Sequence, residues 1–154
     1  MSAQPDPGPQ PAPGTPAEVG RSVPQRTFYE RVGGHDTFVR LVAEFYRGVA
    51  QDAPLRDMYP EEDLGPAEVR LRMFLEQYWG GPTTYSDQRG HPRLRMRHVP
   101  FQVTPTQRDR WLHHMNAAID TIADRLDAMD EHQMRAYMAH AAHAMVNTFE
   151  DPEA

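Results

Sequence analysis

Three short runs, Tyr78-Trp79-Gly80-Gly81-Pro82, Arg89-Gly90-His91-Pro92 and Leu94-Arg95-Met96-Arg97-His98, decide how this chain is read. Gly80-Gly81-Pro82 ends a helix, because paired glycines and a following proline interrupt the backbone bonding that a helix requires. A polar connection of roughly ten residues is expected next, between Gly80 and Gly90, and loops of that length in compact domains are usually functional or mobile. A short helical piece is expected around residues 92–98, with His98 at its end.

Upstream, Gly65-Pro66 opens the helix that Gly80 closes, and Leu71, Phe74, Leu75 and Tyr78 form its expected apolar stripe. A further helix is expected over residues 36–50, with Phe38, Leu41, Val42, Phe45 and Val49 on one face, after a short turn that Gly33-Gly34 terminates. Downstream, Thr104-Pro105-Thr106-Gln107 has capping-box spacing and launches a helix carrying Trp111, Leu112, Met115, Ile119 and Ile122. Asp130 and Gln133 repeat that spacing ahead of Met134, Tyr137, Met138, Ala141 and Met145. No segment reads as a strand, so the expected class is all-α, with four substantial helices and several short ones.

The length of 154 residues suits one domain. Residues 1–26 hold seven of the 15 prolines and hardly any large apolar side chain. Such a segment buries too little to offset its ordering entropy, so a disordered tail is expected at 1–26 and a folded domain at 27–150. The tail lacks the charged start and apolar run of a secretory signal, and no apolar run reaches the ~18 residues of a membrane span. A cytoplasmic protein is the expectation. With no cysteine, the chain has no disulfide, thiolate nucleophile, iron–sulfur cluster, cysteine–zinc site or covalently attached haem. A net charge of -6 argues against a nucleic-acid binder, which leaves the local run of Arg89, Arg93, Arg95 and Arg97 to be explained.

If the helices pack as antiparallel pairs, Tyr46, Tyr59, His98 and Trp111 put polar tips on faces that otherwise read as core. Buried phenols and indoles need hydrogen-bond partners, so together they point to a pocket. A b-type haem accounts for such a set: it needs one neutral imidazole on iron, a flat apolar slot, and cations near its propionates. Arg93 through His98 supplies those residue types in one segment. Taken singly, each has a plainer reading: His98 as a satisfied structural histidine, the arginines as a solvated face, Tyr46 and Trp111 as core packing. His113, His114, His140 and His143 raise zinc as an option, but no carboxylate set or metalloprotease motif accompanies them. The nine methionines read as flexible core filler.

Met58-Tyr59-Pro60-Glu61-Glu62-Asp63-Leu64 and Arg70-Leu71-Arg72-Met73-Phe74-Leu75 join the three opening runs in a pattern that resembles group II truncated haemoglobins over about residues 27–149. The resemblance implies a two-over-two globin sandwich holding non-covalent haem b, with His98 as the proximal ligand. It further implies that Tyr46, Tyr59 and Trp111 donate hydrogen bonds to the iron-bound ligand, and that Leu71 and Phe74 form an apolar wall. Ala67 matches the place where many other globins carry a distal histidine. Arg70, Tyr85 and Arg97 are the expected propionate contacts, and Met96 is a further expected haem-binding residue.

Three functional classes follow. The first is reversible dioxygen binding, since neutral donors in a dry pocket hold partial negative charge on the ligand. The second is a haem enzyme, a nitric-oxide dioxygenase or peroxidase, which needs a separate reductase because the chain has no flavin or nicotinamide domain. The third is a non-catalytic helical interaction module whose tyrosines and Trp111 only fill a core. The expected partners are dioxygen and other diatomic ligands, without nucleic acid or membrane, in a monomer or homodimer.

Overall fold

The computed structural model describes residues 26–93 and 103–149, and among these every regular element is helical. A first turn, α1 (Phe28–Arg31), is set by a capping box in which the Thr27 hydroxyl accepts from the Glu30 N–H and the Glu30 carboxylate accepts from the Thr27 N–H. Helix α2 (His35–Ala50) follows the Gly33-Gly34 turn and buries Phe38, Leu41, Val42, Phe45, Tyr46 and Val49, the i, i+3, i+4 spacing of one apolar face. A one-turn helix, α3 (Ala53–Arg56), leads into an extended segment and then α4 (Gly65–Tyr78). Asp63 accepts the Gly65 N–H at 2.8 Å, satisfying one of the donors a helix start leaves open.

Helix α5 (Thr84–Arg89) precedes α6 (Pro105–Asp120), whose expected Thr104/Gln107 capping box is present. A 3₁₀ turn (Ala123–Arg125) connects α6 to α7 (Ala128–Met145). Helix α2 packs against α4 and α6, and α6 packs against α7, giving the expected pair-on-pair architecture. Phe38, Leu41, Phe45, Met115, Ile119, Ile122, Met134 and Met138 meet at its centre, each at most 1% exposed. Each such side chain contributes about 1.5–3 kcal/mol by leaving water. None of the described helices is long and apolar enough to cross a membrane.

The structure departs from the sequence expectations in four places. The connection between Gly80 and Gly90 is not a loop, because six of its residues form α5. The Gln77 side chain stitches that helix to α4, accepting from the Ser86 N–H at 2.9 Å and donating to the Ser86 hydroxyl at 2.6 Å. Six residues with one buried side chain, Tyr85, are too few to show periodicity. Pro92 and Arg93, expected to begin a helix, are non-helical, with Arg93 at φ 43°. The last helix is capped by Asp127, which accepts from the Asp130 N–H, so it starts earlier than the Asp130 spacing indicated.

The buried face of α4 differs too. Ala67, Met73, Leu75 and Glu76 are buried, whereas Leu71 and Phe74 are only half-buried and Tyr78 is 52% exposed. Glu76 tolerates burial because Arg72 and His35 pair with its two oxygens, at 3.1 and 2.7 Å. At the end of α4, Gly81 approaches so closely that a Cβ there would lie 2.8 Å from the Glu76 carbonyl oxygen.

Candidate functional site

Tyr46, Tyr59 and Trp111 come from three different elements and meet at one end of the molecule. Tyr46 is carried by α2, Tyr59 lies three residues beyond α3, and Trp111 sits in the second turn of α6. Phe45 is the common neighbour of Tyr46 and Trp111: its ring lies 4.9 Å from Tyr46 at 80° and 5.0 Å from Trp111 at 60°. Tyr46 meets Tyr59 at 5.7 Å and 75°. These edge-on contacts direct the polar tips toward each other. The Tyr46 and Tyr59 hydroxyls and the Trp111 indole, which can only donate, lie near enough to act on one another's protons.

Burial pushes the Tyr46 phenol well above its ordinary pKa, and the negative charge and hydrogen bond of Tyr59 push it the same way. The Tyr59 phenol is also raised by burial, against the bonds from Tyr46 and Trp111 that lower it. Both phenols therefore keep their protons at neutral pH and remain donors.

The segment carrying Tyr59 is held by Arg56, whose guanidinium donates to the carbonyls of Tyr59, Glu61 and Glu62 at 3.2, 2.7 and 2.7 Å. Nothing in the sequence marked Arg56 for this role, since a guanidinium that grips main-chain carbonyls needs no particular partner side chains. Phe45 was legible as a core residue but not as the hub of the aromatic set.

Leu71 and Phe74 stand on α4 and pack against the core from its edge, as do Tyr59 and Trp111. Ala67 is 3% exposed on the same helix, and its methyl group offers no polar atom. Tyr85 is buried with its ring 5.6 Å from Phe74 at 70°, and the Arg89 guanidinium lies 5.8 Å above the Tyr85 ring. Arg70 pairs with Glu61 at 3.0 Å, tying α4 to the Tyr59 segment. The expected contacts Met96, Arg97 and His98 lie outside the described residues.

Among the described residues no group of three or more histidines and carboxylates is arranged to hold a metal ion. His114 is bonded to Asp52 at 2.8 Å and His143 lies 3.3 Å from the Arg108 guanidinium.

This donor set suits a flat apolar group. Two phenols and an indole converge, with the Glu61 carboxylate and the Arg70 guanidinium near enough to act on both phenols, and the large apolar side chains Leu71 and Phe74 are only partly buried on α4. Leu71 and Phe74 therefore keep apolar surface in solvent that an apolar partner would cover.

The comparisons with known proteins agree with this architecture. The family model for bacterial-like globins matches residues 27–147. A group 2 truncated haemoglobin of Bacillus subtilis is 39% identical over 94 residues, 61% of this chain and 70% of the relative. The structure of a thermostable haemoglobin from Thermobifida fusca is 63% identical, with a TM-score of 0.77, covering 79% of this chain and 98% of that one. The structure of a truncated oxygen-avid haemoglobin from Bacillus subtilis is 34% identical, with a TM-score of 0.73, covering 79% of this chain and all 100% of that one. With a helical sandwich matched over nearly its whole folded length and a phenol and indole cluster at its edge, the chain belongs to the bacterial-like globin family, as a two-over-two haemoglobin of truncated group II.

Proposed function

We propose that the protein binds dioxygen reversibly at haem b held without a covalent bond. The observation that carries this reading is the convergence of Tyr46, Tyr59 and Trp111, in a fold whose α4 leaves Leu71 and Phe74 only partly buried. In this reading His98 ligates the iron, Leu71, Phe74 and Ala67 line the ligand's side, and Arg97 and Tyr85 reach the propionates. Met96 packs nearby. Arg70, which already engages Glu61, is shared between that carboxylate and a propionate. Bound there, haem supplies the iron that coordinates the diatomic ligand.

The protein's own part is to hold protons at fixed positions. A Tyr59 oxygen that accepts from Tyr46 and Trp111 keeps its own hydroxyl hydrogen for a third partner. Aimed at a ligand atom carrying partial negative charge, that hydrogen makes a bond stronger than it would be in water, because the pocket excludes competing solvent. Polarisation through Tyr46 and Trp111 strengthens the donor further. Slow ligand release follows. Ala67 adds no polar donor and no bulk at the position of a distal histidine, so ligand retention rests on the phenol and indole set.

Absorption spectra of the wild type and of His98→Ala, each in ferric, ferrous and oxygenated forms, test this reading. The wild type is expected to show a Soret band and a stable oxygenated spectrum. The variant is expected to lose the five-coordinate histidine-ligated ferrous spectrum while its circular dichroism remains helical. A folded wild type that stays colourless after addition of haemin refutes it.

A further inference from the structure

We propose that Asp52, bridging Arg110 and His114, is a positioning unit that sets α6 against the α2 and α3 corner and so places the Trp111 indole on the Tyr59 hydroxyl. The proposal rests on the reading of Tyr59 and Trp111 as ligand donors.

Asp52 lies between α2 and α3, two residues past the end of α2. One of its oxygens accepts from Arg110 Nη1 at 2.7 Å and the other meets His114 Nε2 at 2.8 Å. Both partners are on α6, and Trp111 sits between them in sequence. The Asp52 and His114 side chains are 11% and 17% exposed, so the pair is screened less than a surface ion pair. The hydrogen bond from His114, ahead of the charge of Arg110, holds the Asp52 carboxyl below its ordinary value, so it is ionised at neutral pH.

A second, independent feature marks the same unit. The His114 ring is seated against the backbone of α2 at Gly48, where a Cβ would come within 2.5 Å of Nδ1 and 3.1 Å of Cγ. Glycine inside a helix costs about 1 kcal/mol relative to alanine. At this position it leaves the space that the imidazole fills. Gly48 is two residues from Tyr46, and Asp52 is seven before Tyr59, within a segment whose carbonyls Arg56 grips. The same three pieces of chain are therefore joined twice, by phenols and indole inside and by carboxylate, guanidinium and imidazole at the rim. Fixing the outer join fixes the register of the inner one.

The test compares Asp52→Ala and Gly48→Ala with Trp111→Phe in the haem-loaded protein. The readouts are the dioxygen dissociation rate, the C–O stretching frequency of the carbon monoxide complex, and solvent exchange of the Trp111 indole N–H by NMR. Loss of one neutral hydrogen bond in the donor set corresponds to a rate increase of about threefold to tenfold. Both positioning variants are expected to show it, to shift the C–O stretch toward that of Trp111→Phe, and to exchange the indole proton faster. Gly48→Ala leaves every member of the ionic unit in the sequence, so it keeps the test decisive if Asp52→Ala folds poorly.

Arg31→Ala, which removes the Arg31 to Asp130 pair joining α1 to α7, is the control for a merely structural loss. It is expected to lower the melting temperature without moving any of the three readouts. Wild-type release and C–O stretch in Asp52→Ala and Gly48→Ala, alongside fast release in Trp111→Phe, overturn the positioning role alone. Wild-type release in Trp111→Phe and Tyr59→Phe overturns the donor reading, and this proposal with it.

Discussion

Two aromatic clusters are built from the same residue types and do different work. At one end Phe28 stacks on Trp79 at 4.8 Å and 25°, Tyr29 on Phe38 at 5.6 Å and 17°, and Tyr78 on Tyr137 at 4.2 Å and 25°. At the other end Phe45, Tyr46, Tyr59 and Trp111 meet at 60° to 80°. The stacked pairs share faces and Trp79 meets Tyr78 and Tyr137 edge-on at 77° and 70°, so this cluster covers area and joins α1, α2, α4 and α7. Rings packed edge to face let the hydroxyl and indole edges converge on one point. The first cluster ties four helices together, and the second gathers polar tips from three segments.

Breaking the stacked cluster is expected to have the largest effect on stability. Trp79 is 5% exposed and touches Phe28, Phe38, Tyr78 and Tyr137. Trp79→Ala is expected to cost about 3–5 kcal/mol in denaturant unfolding. Its dioxygen release, measured at a temperature where it remains folded, is expected to stay near the wild-type rate. Release accelerated as much as in a donor variant would show that the two clusters are not independent.

Next in size is Tyr59→Phe, which removes the donor and leaves the ring. A hydrogen bond to a charged acceptor contributes about 1.5–3 kcal/mol, so dioxygen dissociation is expected to rise about ten- to a hundredfold. Tyr46→Phe is expected to do less, because Tyr46 acts through Tyr59. Stopped-flow displacement of dioxygen by carbon monoxide measures both. An equal effect of the two substitutions would place both hydroxyls directly on the ligand and break the relay geometry.

The contrast also separates what a single segment of sequence discloses from what only the assembled helices do. Helices α2 and α6 were legible because their apolar spacing and, for α6, the Thr104 capping box act within one segment. Tyr46, Tyr59 and Trp111 were legible as oddities, since polar tips on core faces conflict with simple burial. Their mutual geometry was not, because it depends on Phe45 wedging between α2 and α6 and on Arg56 shaping the Tyr59 segment. The rim unit was hidden for the same reason: Asp52 and His114 are 62 residues apart. Helix α5 was missed because its stability comes from Gln77 on a neighbouring helix rather than from its own pattern.

The smallest effect expected concerns protons in the stacked cluster. Burial first, and the neighbouring Tyr78 second, push the Tyr137 phenol up to about 12 from an ordinary 10.0. Because the folded value is the higher one, the stabilisation from a neutral Tyr137 is complete below pH 10 and is lost as pH rises through about 12. Tyr78→Leu removes the neighbouring phenol that pushes Tyr137 up and retains an apolar cover. It is therefore expected to bring one tyrosinate step in an ultraviolet titration of the folded protein to lower pH. The late steps of Tyr46 and Tyr59, raised by burial in the other cluster, are expected to stay where they are. If, apart from the missing Tyr78 step, the remaining tyrosinate steps of Tyr78→Leu kept their wild-type positions, desolvation alone would hold the Tyr137 proton. The 4.2 Å stack would then be packing without electrostatic coupling, and the two clusters would differ in geometry but not in how their phenols sense one another.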